Sequence, residues 1–202
     1  MSTGLDAMTN VSSIISTIKN DGYSFVCRYY NTNIPSKNLT LSEAQAISRV
    51  GLYNISIWEN GYPTSASYFS YSKGVSDGTA AINYAHNTIG QPDTAPIYIA
   101  VDYDASISDL DGVITAYFNG IVAAMGNLDY YYPLGVYGSG LTCQTIYNNI
   151  GQVIYTWLAR SPGWQGYSTY TAWNIKQSSG GTMGGIAYDN DQSKGNAGGF
   201  QV

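Results

Sequence analysis

Strand-like and helical patterns alternate about five times along this 202-residue chain, and strands with little helix between them follow. That order predicts an α/β fold: a (β/α) barrel, irregular, with reduced helices in its C-terminal half. Several of the strand-like runs are apolar on both faces, as strands buried between a core and a helical layer are. An open doubly wound sheet is the alternative. The residues after the first short run read GLDAMTN, however, and carry none of the glycine spacing of a dinucleotide fold.

The runs fall in a regular order. GLD (4–6), YSFVCRYY (23–30), LYNISIW (52–58), APIYIAVD (95–102), PLGVYG (133–138), VIYTWLA (153–159), AWNIKQ (172–177) and GIAYD (185–189) read as eight strands. Helical patterns occupy 11–20, 39–51, 76–90, 108–126 and 139–151. The first places Val11, Ile14, Ile15 and Ile18 on one face. The second opens on Thr40 or Ser42 and stops at Gly51, a C-cap residue type. No linker or charge run divides the chain, so residues 1–202 read as a single domain. The Gly-rich tail SKGNAGGFQV reads as a frayed end or a junction.

Composition removes whole classes of chemistry. Eight Lys and Arg against thirteen Asp and Glu give a net charge of -5. A face that tracks nucleic-acid phosphates is therefore not expected. No apolar stretch reaches the ~20 residues of a membrane span, and no export signal is readable at the N-terminus. The lone His86 sits in a helical pattern. Cys27 and Cys143 form no C-x-x-C motif, so zinc and redox motifs are not expected and a disulfide between the two stays open. No cofactor is implied. Catalysis is left to carboxylates.

In a (β/α) barrel the C-terminal strand ends converge on one face, where sites are built. Read in order, those ends supply Asp6, Arg28 with Tyr30, Glu59, Asp102 with Asp104, Tyr137, Gln177, and Asp189 with Asp191. A carboxylate ending a hydrophobic strand is desolvated, which raises its pKa as a general acid requires. In VDYD, Asp102 and Asp104 stand two apart. If the strand persists through Asp104, both face the mouth, one ionised and the other more easily protonated. Glycoside hydrolysis needs that division of labour. A bare D-x-D also serves metals and turns. Glu59 competes for the proton-donor role, or pairs with Arg28, which is expected to orient a carboxylate. Tyr29, Tyr30, Trp58, Tyr103, Tyr137, Trp157, Trp164 and Trp173 lie on or beside strand ends and offer flat rings for sugar faces, although many of the 20 Tyr will be core or rim filler.

Taken together, GLD, GYSFVCRYY, LTLSEAQAI, GLYNISIWE, APIYIAVDYDA, YYPLGVYGSG, YTWLARSPGW, IKQ and YDND resemble the glycoside hydrolase-like family catalogued as domain of unknown function 1906, related to the family 25 lysozymes. The resemblance spans nearly the whole chain. It implies a TIM-like barrel in a peptidoglycan or cell-wall polysaccharide context, extracellular and often one module of a larger protein. It matches Asp6 to the first-strand Asp of the lysozymes, Asp102 to the first acid of their D-x-E, and Asp189 to a late-strand Asp. Position 104 departs, with Asp where they carry a Glu proton donor.

The catalytic set expected from residues and resemblance together is Asp6, Asp102, Asp104 and Glu59. Arg28, Tyr30, Tyr137, Trp157, Trp173, Gln177 and Asp189 are expected to bind substrate. A sugar-binding barrel without turnover, and a hydrolase holding a metal on Asp6, Asp102, Asp104 and Asp189, are the competing readings.

Overall fold

Eight strands close into a barrel in chain order. They are β1 (Ser2–Asp6), β2 (Phe25–Tyr30), β3 (Tyr53–Trp58), β4 (Ile97–Ala100), β5 (Leu134–Gly138), β6 (Val153–Leu158), β7 (Ile175–Met183) and β8 (Ile186–Ser193). The computed structural model describes residues 1–202 throughout. Strands β1 to β7 are parallel to their neighbours, whereas β8 runs antiparallel to both β7 and β1.

The antiparallel closure departs from the regular parallel pattern for a local reason. Met183 pairs with Ile186, so only Gly184 and Gly185 connect β7 to β8. Both have positive φ, +55° and +84°. A two-residue turn of that hand makes a hairpin, and no parallel crossover is that short. Residues 178–183, SSGGTM, thus belong to β7, with an irregularity in the ladder between Ser178 and Gly181.

Helices cover the first six strands. They are α1 (Ile15–Asn20), α2 (Leu41–Arg49), α3 (Tyr71–Asn83), α4 (Ile107–Asp109), α5 (Thr115–Leu128) and α6 (Gly140–Asn149), with π-helical turns at Tyr84–Ile89 and Leu110–Ile114. Their starts are set by side-chain caps. Thr40, Ser70 and Ser139 each accept the backbone N–H three residues on, and Ser106 and Asp109 form a capping box. The Ser70 cap starts α3 five residues before the 76–90 pattern suggests. None of the helices is long and apolar enough to cross a membrane.

Strand alternation sorts the apolar residues into two layers. Phe25, Cys27, Tyr29, Ile55, Ile57, Tyr98, Ala100, Trp157 and Ile175 fill the barrel interior. Leu5, Val26, Tyr30, Ile97, Ile99, Leu134 and Val136 face the helices. Room inside comes from missing side chains: a Cβ on Gly4 would lie 2.1 Å from the Phe25 ring, and one on Gly135 2.3 Å from the Tyr98 ring. The N-terminal end of the barrel holds a cavity of about 390 Å³ beside Phe25 and Ile55, and the C-terminal strand ends form the mouth.

Candidate active site in the barrel mouth

A cavity of about 230 Å³ opens in the mouth, lined by Asp6, Met8, Tyr29, Lys37, Ile57, Glu59, Asp102, Tyr137, Trp157, Gln177 and Asp189. Each strand from β1 to β8 delivers at least one of these, directly or from the residues just past its end.

Asp6 ends β1 and is nearly buried. The Tyr29 hydroxyl donates to its Oδ1 (3.1 Å) and the Gln177 amide to its Oδ2 (2.9 Å). Gln177 is itself fixed, because its Oε1 accepts the Tyr137 hydroxyl and the Arg160 N–H, both at 3.1 Å. Burial pushes the Asp6 pKa up to about 6, with the Gln177 hydrogen bond opposing and nearby Asp189 adding to the rise. Asp189 stands opposite Asp6 in the β1–β8 register and lies 3.8 Å from Arg160 at the rim.

Asp102 faces the cavity two residues past the end of β4. Burial raises its pKa, the neighbouring Glu59 raises it further, and Lys37 partly offsets them. No protein group donates to the Asp102 carboxylate. Glu59 Oε1 is 2.7 Å from the Lys37 ammonium, which also lies 4.0 Å from the centre of the Tyr29 ring. The walls are aromatic: Tyr137 meets Trp157 edge-on at 5.3 Å.

The structure moves four expected site residues out of the mouth. Asp104 is exposed and accepts the Gln165 N–H at 2.9 Å. Strand β4 ends at Ala100 and the chain turns at 103–105, where the Ala105 N–H bonds the Tyr103 carbonyl, so the alternation that would aim Asp104 inward is lost. Arg28 is fully buried and pairs with Glu43 (2.8 Å), not Glu59. It has the outward parity of Val26 and Tyr30, and it reaches the mouth only by donating to the Ala7 carbonyl, next to Asp6. Tyr30 is also fully buried on the helix side, its hydroxyl bonded to Gln91 at 2.8 Å. Trp173 precedes β7 and lies under the Lys194 ammonium, away from the cavity. The mouth does hold Asp6, Asp102, Glu59, Tyr137, Trp157, Gln177 and Asp189.

Sequence reading passed over Lys37, and it counted Tyr29 among the strand-end aromatics without placing it in the binding set. Tyr29 has the inward parity of Phe25 and Cys27, but β2 is buried along its whole length, which hides that parity. Lys37 comes from a 3-10 turn whose burial no periodicity marks. No three His, Cys, Asp or Glu side chains converge as metal ligands, and with Asp104 turned away the four-aspartate set is not assembled. Cys27 and Cys143 are both free and buried.

Residues 16–194 match the Rv2525c-like, glycoside hydrolase-like domain family. The chain belongs to that family. It is 32% identical over 200 residues to the uncharacterized protein FadG of Bacillus subtilis, covering 92% of this chain and 34% of FadG. It thus spans about a third of that relative. The Tat-secreted protein Rv2525c of Mycobacterium tuberculosis, solved with L-tartrate, superposes with a TM-score of 0.78 at 26% identity over 98% of both chains. More distant structures share the fold alone. A family 25 glycosyl hydrolase of Bacillus anthracis matches with a TM-score of 0.61 at 10% identity, covering 97% of this chain and 90% of its own. The modular autolysin LytC of Streptococcus pneumoniae, solved with a synthetic peptidoglycan ligand, matches with a TM-score of 0.62 at 16% identity, over 94% of this chain and 46% of LytC. This chain is therefore a glycoside hydrolase-like barrel domain.

Proposed function

We propose that the domain is an extracellular, cell-wall-associated glycoside hydrolase acting on peptidoglycan or a related N-acetylated polysaccharide, as one module of a larger protein. The observation that carries this reading is the pairing in one cavity of two differently treated carboxylates. Asp6 is held as an acceptor by Tyr29 and Gln177, while Asp102 is desolvated and has no donor. Asp102 gives its proton to the leaving glycosidic oxygen. Asp6, as a carboxylate, stabilises the cationic transition state or orients a substrate acetamido group as internal nucleophile. Glu59 is engaged by Lys37, and Asp104 has left the cavity, so neither is the donor. Tyr137, Trp157 and Gln177 hold the ring. The Tat-secreted relative and the peptidoglycan ligand of LytC support the context.

The test is reducing-end release from purified peptidoglycan and chitin oligomers by wild type, Asp102→Asn, Glu59→Gln and Asp104→Asn. Release by wild type, lost in Asp102→Asn and kept in Asp104→Asn, is the expected result. A second reading, a sugar-binding barrel without turnover, is favoured by Asp104 standing where the lysozymes have their donor and facing away. Oligomer binding with no released ends would establish it.

A further inference from the structure

We propose that Asp191 is a neutral carboxylic acid beneath the mouth that links the Trp157 indole N–H to Asp6, donating its one proton to the Asp6 carboxylate and so positioning it. The observation is a set of orphans. Asp191 is 1% exposed, and neither of its oxygens has a hydrogen-bond partner; the Trp157 Nε1 is also buried and unpartnered. Register explains the placement. On β8, Asp191 shares the inward face with Asp189 and stands opposite Gly4 of β1 and Gln177 of β7. That register sets the carboxyl two residues deeper in the barrel than the Asp6–Asp189 pair, and its neighbours are Asp6, Trp157 and Cys27.

An ionised carboxylate in that enclosure, unpaired and next to a second carboxylate, carries a Born cost that no contact offsets, so the group keeps its proton. Burial foremost and Asp6 next hold the Asp191 pKa well above the usual carboxylate range. A neutral acid has one donor and a carbonyl acceptor. With the proton in place the O–H has the Asp6 carboxylate to donate to, and the carbonyl oxygen is left as the acceptor offered to the neighbouring indole N–H. The ionisable groups around this pair are Asp6 on β1, Cys27 and Tyr29 on β2, Tyr98 on β4, Tyr137 on β5 and Asp189 on β8. Burial raises Cys27 and the three tyrosines, which stay neutral beside it. The catalytic value of a held Asp6 rests on the glycosidase reading; the shared proton does not.

The test is a carbon-13 carboxyl titration of the full chain in wild type, Asp191→Asn and Asp191→Leu, which needs no turnover. Asp191 is expected to show the neutral-carboxyl signal at pH 7 while Asp6 titrates near 6. Asp191→Asn keeps a neutral donor and should shift the Asp6 midpoint by less than about half a unit, whereas Asp191→Leu should raise it by about a unit or more. An ionised Asp191 at pH 7, or a fall of about a unit in the Asp6 midpoint in Asp191→Asn, would overturn the proposal by showing a like charge removed. If Asp191→Leu does not fold, the wild-type signal and the Asn variant still decide. A chain that cleaves no glycan yet gives the expected titration would sink the glycosidase reading alone.

Discussion

Asp6 and Asp102 carry the same functional group, and burial acts on both, but their partners separate them. A carboxyl whose folded pKa lies above its unfolded one keeps its proton longer in the native state. Its contribution to stability therefore falls as pH rises through the window between the two values. For Asp6 that window runs from 3.8 to about 6, a loss of roughly 3 kcal/mol. Thermal melts should show wild-type Tm declining from pH 4 to pH 6.5, and a flat or rising profile there would contradict the buried, elevated Asp6. Asp102 follows the same sign, so Asp102→Asn should melt no lower than wild type at pH 7. Its turnover should nonetheless fall by about 10²- to 10⁴-fold. Arg28 behaves differently: removing it strips the buried Glu43 carboxyl of its ion-pair partner and leaves it the Val11 N–H. Arg28→Met should cost about 3–5 kcal/mol by denaturant melts.

At the scale of the elements, α3 and α5 pack through glycines whose absent side chains the fold depends on. A Cβ on Gly120 would lie 2.2 Å from the Tyr71 carbonyl oxygen and 2.8 Å from the Val75 nitrogen, backbone atoms that cannot step aside. Gly126 on the same helix has nothing within 4 Å. Replacing Gly with Ala normally stabilises a helix by about 0.5–1 kcal/mol. Gly126→Ala should do so, while Gly120→Ala should cost about 1–3 kcal/mol through overpacking. Equal effects in the two variants, measured by urea melts, would mean that the helix contact is loose. None of this was legible in AYFNGIVAAMG, where both glycines look alike. The strands were legible because alternating and double-faced apolar runs report burial directly. Asp6, Asp102 and Glu59 were found because a charge that ends an apolar strand stands out. Asp104 was misplaced because strand length, not residue type, decides its direction. Lys37 was missed, and Asp191, read as a strand-end acid, was left out of the site set, because their burial is set by packing from distant segments.

Across the whole molecule, the two ends of the barrel divide the work. The mouth gathers carboxylates that cost stability, and the last residues pack across the opposite end. Residues 195–202 are a strap rather than a frayed tail. Phe200 and Asn54 exchange both backbone hydrogen bonds (2.8 and 2.9 Å), Gln201 donates to the Leu52 carbonyl, and the Tyr98 hydroxyl donates to the Ala197 carbonyl from inside the barrel. Phe200 is buried against the outer core, and Ala197 packs with the interior cluster. Removing 195–202 gives up the burial of Phe200, about 2–3 kcal/mol, together with hydrogen bonds worth about 1 kcal/mol each. For a chain of this size each kcal/mol moves Tm by about 2–4 °C, so the truncated protein should melt roughly 12–28 °C lower. Because the strap makes no hydrogen bond to a cavity residue, glycan affinity measured well below that lowered Tm should match that of the intact chain. A truncation that weakened binding while leaving Tm unchanged would mean that the base of the barrel shapes the mouth, and the division between a stabilising end and a working end would fail.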